Sequence, residues 1–335
     1  MKQVFVVFAI FGYQILQAQN VGIGTATPLA RLHVTDSSVL FSMNGDVPTF
    51  PLANPPVSGP GRRMMWFPDR AAFRVGYVDD DSWDRDKIGK YSVATGYRTR
   101  ASFGAVAMGY IANASGSLST AIGYNTTASG EYSIALGVQT IASGQHSVAI
   151  GREVWAAGKG SFFFGDSDPY NNGLASSSTP NEMAMRFNGG YYFITDNAFN
   201  FIGVRVPAGG NSWVTISDVK LKENFLPIEG ELFLQKIAKL NLTSWNYKSQ
   251  NPATFRHYGP MAQDFYAAFG KDKLGTIGCD TLINQQDFLG VNLIAIQALE
   301  KRTTELKEEN YELKKKNEDL IARLEKLEKL VLNKQ

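Results

Sequence analysis

The sequence predicts a mainly β N-terminal body, built as a β-solenoid, followed by a small α/β domain and a C-terminal coiled coil. Three observations carry this. A strand pattern ending in glycine recurs every 14 residues through the middle of the chain. The composition changes after Ile216, where glycine-rich β patterning gives way to helical spacing. Leucine then recurs every seven residues towards the C-terminus.

The repeats are Ser92-Val93-Ala94-Thr95-Gly96, Ala105-Val106-Ala107-Met108-Gly109, Ser119-Thr120-Ala121-Ile122-Gly123, Ser133-Ile134-Ala135-Leu136-Gly137 and Ser147-Val148-Ala149-Ile150-Gly151. Ser161-Phe162-Phe163-Phe164-Gly165 is a degenerate sixth copy. The glycine spacing is 14 from Gly109 to Gly165 and 13 between Gly96 and Gly109. A second glycine signal lies between the copies, at Ala114-Ser115-Gly116, Ala128-Ser129-Gly130 and Ala142-Ser143-Gly144. Units this short cannot each build a core, so they must stack. Alternation puts Val148 and Ile150 on one face and Ser147 and Ala149 on the other. Glycines are expected to supply positive φ at the corners, and small residues to allow close approach of coils or chains. A flexible linker has no reason to keep Met108, Ile122, Leu136 and Ile150 directly before successive glycines.

The tail begins with helical spacing at Phe233, Ile237 and Leu240, a strand over Leu242–Tyr247, and a turn into a short helix over Tyr258–Phe265. A long helix is expected from near Asp287. Leu299, Leu306, Leu313, Leu320 and Leu327 occupy one seam position, and Thr303, Asn310, Asn317, Leu324 and Val331 the other. A seam of ~33 residues spans about 50 Å. On a lone helix it would leave an uncovered leucine stripe, which favours an oligomer. The tail alone does not separate dimer from trimer.

The remaining features bound the function. Lys and Arg total 33 against 31 Asp and Glu, a formal charge of +2, so nucleic acid is not an expected partner. The single cysteine, Cys279, excludes an internal disulfide framework and a cysteine zinc cluster. His33, His146 and His257 lie too far apart for a histidine metal motif, and no metal or cofactor is expected. Asp79-Asp80-Asp81 and Asp166-Ser167-Asp168 lack the ligand spacing of a calcium loop and are expected to be polar turns. Lys2 followed by the apolar run Val4–Leu16 and Leu16-Gln17-Ala18 has the form of a secretory signal, too short to span a membrane, and no later span is expected. The expected division is a signal over 1–18, a β/loop segment over 19–90, repeats over 91–165 and a β-rich connector over 166–216. An α/β domain over 217–298 and a coiled coil over 299–335 complete it.

The spacing and residue types of the repeats resemble the head repeats of trimeric autotransporter adhesins. That resemblance implies a left-handed parallel β-roll in a three-chain fibre. Ser217-Asp218-Val219-Lys220-Leu221-Lys222-Glu223-Asn224 resembles the opening of the intramolecular chaperone domain of endosialidase-type phage tailspikes. A similar domain occurs in other phage fibres and in the myelin regulatory factor family. Trp245-Asn246-Tyr247 and His257-Tyr258-Gly259-Pro260-Met261-Ala262-Gln263-Asp264 agree, and the likeness extends over 217–335. It implies that three tails assemble, template the β-rich fibre and release themselves as a serine peptidase acting once. By that resemblance Ser217 and Lys222 are the catalytic dyad, Ser217–Asp218 is the scissile bond with the neighbouring bond as alternative, and His257 has a supporting role. The expected partners are two further copies of the chain and an unidentified surface ligand or glycan, in a secreted or surface-bound bacterial protein.

The residues themselves are chemically consistent with this. A serine hydroxyl needs a base to become a nucleophile. Lysine, with an ordinary pKa of about 10.4, becomes one only when its charged form is disfavoured, and burial on assembly is one route. No activity on other substrates is expected. The alternative is a structural adhesin that never cuts and keeps its coiled coil as a permanent stalk.

Overall fold

The structure, a computed structural model, describes residues 20–49, 53–168, 175–196 and 202–333. The expected signal segment lies outside the described residues. The chain divides into two compact units, one of residues 1–191 with 207–209 and the other of residues 192–206 with 210–335.

The first unit is a parallel β-roll. Each coil contributes one five-residue strand and one short strand, stacked on their counterparts in adjacent coils. The strands Val93–Tyr97, Val106–Tyr110, Thr120–Tyr124, Ile134–Val138 and Val148–Arg152 pair in parallel, with glycine always opposite glycine. The 13-residue coil keeps this register, since Gly96 still faces Gly109.

The pleat has an unusual sense. Ser147 and Ala149 point into the roll and are fully buried, while Val148 and Ile150 point out. The interior is a column of Ala94, Ala107, Ala121, Ala135 and Ala149 facing Ala101, Ala114, Ala128 and Ala142. The large apolar side chains line the outer face, where Met108, Ile122 and Ile134 remain 39%, 37% and 37% exposed. Alanine holds the inward position of the five-residue strands from Ala94 to Ala149, and large side chains take it only at the ends, Arg74 opposite Ala94 and Phe163 opposite Ala149.

Stacking also explains the glycines. A Cβ on Gly123 would sit 1.9 Å from the carbonyl oxygen of Gly137, and Gly123 holds φ at +130°. This glycine lies within a strand and serves close coil-to-coil approach. The corners, expected to be glycine, are mostly not. Ile111, Asn125, Gln139 and Glu153 hold left-handed φ between 51° and 56°. Each donates its N–H to a carbonyl of the preceding coil at 2.8–3.0 Å. That repeated bond holds a conformation that costs a β-branched residue such as Ile111 about 1–2 kcal/mol.

The sheet extends beyond the recognised repeats. At one end Ala72–Val78 pairs in parallel with Val93–Tyr97 and in antiparallel with Gly61–Phe67. Here Arg74 takes an inward position opposite Ala94. Its guanidinium is fully buried and donates to the carbonyls of Phe73, Ser92 and Ala101 and to the Ser92 hydroxyl. Burial lowers its pKa to about 10, so it stays charged at neutral pH. Trp83, also buried, donates from Nε1 to the Thr99 carbonyl at 2.9 Å. Together they plug the N-terminal end. At the other end Met183–Arg186 pairs with Phe162–Gly165, adding a rung in which Arg186 stands opposite the last glycine.

The two acidic runs meet arginine. Asp79 and Asp80 bridge Arg98, Asp80 and Asp81 bridge Arg100, and Asp166 bridges Arg186. Burial raises the Asp80 carboxyl, but hydrogen bonds from Ser82 and Arg100 outweigh it and leave it below its ordinary value.

A small sheet of Gly190–Ile194, Gly203–Pro207 and Val214–Thr215 lies mostly in the second unit. A hairpin pairs Thr243–Trp245 with His257–Gly259. Three helices follow the apolar spacing of the sequence: α1 (Gly230–Ala238), α2 (Ala262–Phe269) and α3 (Gln285–Leu332). Phe265, Phe269 and Val291 form the core with Phe233, Ile237, Leu240 and Phe288. An ion pair from Arg302 to Glu231 ties α3 to α1. Beyond this core α3 stands alone, and its seam leucines are about half exposed, Leu306 at 50%. Among the described residues no helix is long and apolar enough to cross a membrane.

Gly123→Ala is expected to destabilise the roll by at least about 2 kcal/mol, through backbone strain and collision with Gly137. Denaturant unfolding of the variant beside the wild type checks this, and an unchanged midpoint contradicts the stacking account.

Candidate active site

The strand Val214–Thr215 ends just before Ser217. Asp218 then caps a single 3₁₀ turn, Val219–Leu221, its carboxylate accepting from the Lys220 amide at 2.9 Å. The Leu221 and Lys222 amides close the turn on the carbonyls of Asp218 and Val219. One turn of this kind brings a residue five positions on back beside the first. Lys222 Nζ accordingly donates to Ser217 Oγ at 2.7 Å. Lys220, three residues after Ser217, lies inside the turn. Both Ser217 and Lys222 are exposed in the single chain.

The pair lies in an open cleft of about 1150 Å³ within the second unit. The small sheet supplies Val204, with Ile202 just before its strand, the segment before the serine supplies Trp213, and the start of α3 supplies its cap Asn284 with Asp287 and Leu289. Asn284 caps α3, its side-chain oxygen accepting from the Gln286 and Asp287 amides. The sequence shows this cap but gives no local sign that it stands beside a serine more than sixty residues earlier. The aromatic core that seats α3 makes that approach.

His257 has a different neighbourhood. It lies on the hairpin opposite Trp245, stacks on that ring at 4.6 Å and faces Gln250 Oε1 at 3.1 Å. The structure gives it no bond or ring contact with Ser217 or Lys222. Asp218, the other side of the expected scissile bond, is held by its capping role.

Fold and site together define a repeat-built β-roll followed by a helical domain that opens on a paired serine and lysine. Comparison with known families gives each part a counterpart. Residues 217–272 match the model of a peptidase family described as the chaperone of endosialidase. Residues 102–126 and 128–153 match two copies of the YadA head domain repeat. No curated protein and no solved structure matches the chain.

Asp218→Ala removes the cap of the turn that presents Lys222, a loss of about 1 kcal/mol. Amide exchange at Lys220 and Leu221 is expected to quicken about fivefold, read by NMR; unchanged exchange would mean the cap does not hold the turn.

Proposed function

We propose that this is a secreted, homotrimeric fibre or adhesin-like protein whose C-terminal domain assembles three chains and then frees itself by one serine–lysine cleavage. In this reading residues 19–216 are the fibre and 217–335 the chaperone with its coiled coil. The observation that carries it is the 2.7 Å contact between Lys222 Nζ and Ser217 Oγ at the first residues of the chaperone match. Association of chains is supported by two apolar surfaces left open in one chain, the outer face of the roll and the seam of α3, and the number three by the trimeric families matched. The match to YadA head repeats supports a surface or extracellular location.

The chemistry follows from the pair. A lysine ammonium only donates, so the contact in the exposed chain is a resting state. Removing water from the pair favours the free amine. The amine then takes the Ser217 Oγ proton, the oxygen attacks a peptide carbonyl carbon, and the carbon–nitrogen bond breaks. The leaving nitrogen takes the proton back from Nζ, and one water hydrolyses the ester to restore the hydroxyl.

Which bond is cut depends on reach. From its own residue, Ser217 Oγ closes a five-membered ring on the Ile216 carbonyl but only a strained four-membered ring on its own. A tail beginning at Ser217 is the product expected of attack within one chain. A tail beginning at Asp218 marks a serine from a neighbouring copy, or a water activated by the amine.

The second reading, a fibre that never cuts and keeps its coiled coil as a stalk, draws on the exposure of the pair in the single chain. Intact mass of purified protein separates the two. The wild type is expected to give two species, and Ser217→Ala and Lys222→Ala one each. Lys222→Arg is expected not to rescue, because a guanidinium stays protonated. Two species from Ser217→Ala would end the dyad mechanism, and one species from the wild type would favour the stalk.

A further inference from the structure

The apolar seam of α3 does not begin at Leu299. Counting back by sevens from Val331 and Leu324 passes Asn317, Asn310 and Thr303 and reaches Ile296 and Leu289. Both lie on α3, at 62% and 53% exposure. The opposite side of these turns is already in use. Val291 and Ala295 are buried, and Phe288 packs on Phe265 with ring centres 5.7 Å apart. The helix is therefore fixed in rotation, and Leu289 and Ile296 cannot turn inward to cover themselves.

The seam is uneven along its length. Its middle positions are polar, and two of them bond to their own helix: Thr303 Oγ1 donates to the Leu299 carbonyl at 2.7 Å and Asn310 Nδ2 to the Leu306 carbonyl at 2.9 Å. Such positions set register at a cost in stability. On this row the apolar contacts are left to the two ends, Leu324 with Val331 and Leu289 with Ile296. The second of these ends lies at the dyad, because Leu289 lines the same cleft as Ser217, Leu221 and Lys222.

We infer that the α3 seam continues to Leu289, so that the first turns of α3 from a second copy of this chain close over the Ser217–Lys222 cleft. The occupant is another copy because the uncovered residues lie in the heptad register of the coiled coil itself, and a helix paired along Leu299–Val331 carries the same row with it. Closure withdraws water from the lysine and favours the amine that can accept the serine proton. Assembly and cleavage are thereby joined by a named contact. This consequence rests on the self-cleavage reading; the contact itself does not.

Two measurements on the full-length chain test it. In Leu289→Asn the distal seam still holds the oligomer, checked by native mass, while cleavage slows at least tenfold. Tyr311→Asn, outside the seam and far along α3, cleaves at the wild-type rate. An assembled Leu289→Asn protein that cleaves at the wild-type rate overturns the inference. The second measurement needs no cleavage. In a Ser217→Ala, Cys279→Ser background, Leu289→Cys is expected to form covalent dimers on mild oxidation, since a disulfide needs Cα atoms within about 7 Å. Gln297→Cys, exposed and off the seam, is expected to form none. Absence of the Leu289→Cys dimer overturns the inference. If the wild type never cleaves but this dimer forms, the seam stands and only the self-cleavage reading falls.

Discussion

The narrowness of the β-roll governs the rest of the molecule. Successive coils approach until glycine carbonyls would touch a neighbouring Cβ, and the two sheets of each coil meet over alanine. Large side chains stand between them only at the ends, where Arg74 and Phe163 take inward positions. The apolar residues that would fill an ordinary core are turned outward in rows that run the length of the sheet. Each buried alanine removes little apolar area, at about 25 cal/mol per Å². A single roll thus buries its small residues and exposes its large ones, an arrangement that becomes stable when the outer face is covered. Contiguous apolar rows of this kind mark an interaction surface. In the proposed trimer, folding of the body and association of its chains are one process.

This inversion also marks the limit of what the sequence could tell. The 14-residue period, the glycine pairs and the heptads are plain from spacing, and the structure has the solenoid and the long C-terminal helix they imply. Alternation separates Val148 and Ile150 from Ser147 and Ala149, but a period of two does not say which set faces in. That depends on the distance between sheets, a property of the stacked object. The left-handed corners were hidden for a similar reason. Ile111 is a poor residue for that conformation and holds it through a bond to the preceding coil. The extra rung at Met183–Arg186 escaped because an insertion breaks the period and Arg186 stands where a glycine was expected. Arg74, opposite an alanine, has no local signature as an end plug.

The site shows the same division between local and distant. Five residues with a capped turn between them suffice to bring Lys222 to Ser217, so the pair is legible from the chain. The wall of its cleft is not. Asn284, Asp287 and Leu289 reach it because Phe265, Phe269 and Val291 seat α3 against the domain. His257, to which the resemblance gives a supporting role, has neighbours that no local pattern shows: the hairpin sets it against Trp245 and Gln250.

In the proposed reading the tail answers a kinetic problem set by the body. Pairing between adjacent coils spans about 14 residues and is local, but covering the outer apolar rows requires several chains in register at once. Dilute chains would expose those rows while searching for one another, the condition that favours aggregation. A helix forms in about a microsecond, and once the helices have associated, the bodies are held at high effective concentration. The seam therefore replaces a slow encounter of sticky surfaces by an intramolecular one. After the rolls have stacked and covered their outer faces, the helices add little to a structure whose persistence is set by its unfolding barrier. Cutting the chain at that stage removes the one association that could direct disassembly as readily as assembly, and a dyad that works only when the seam is closed places the cut after the helices have done their part.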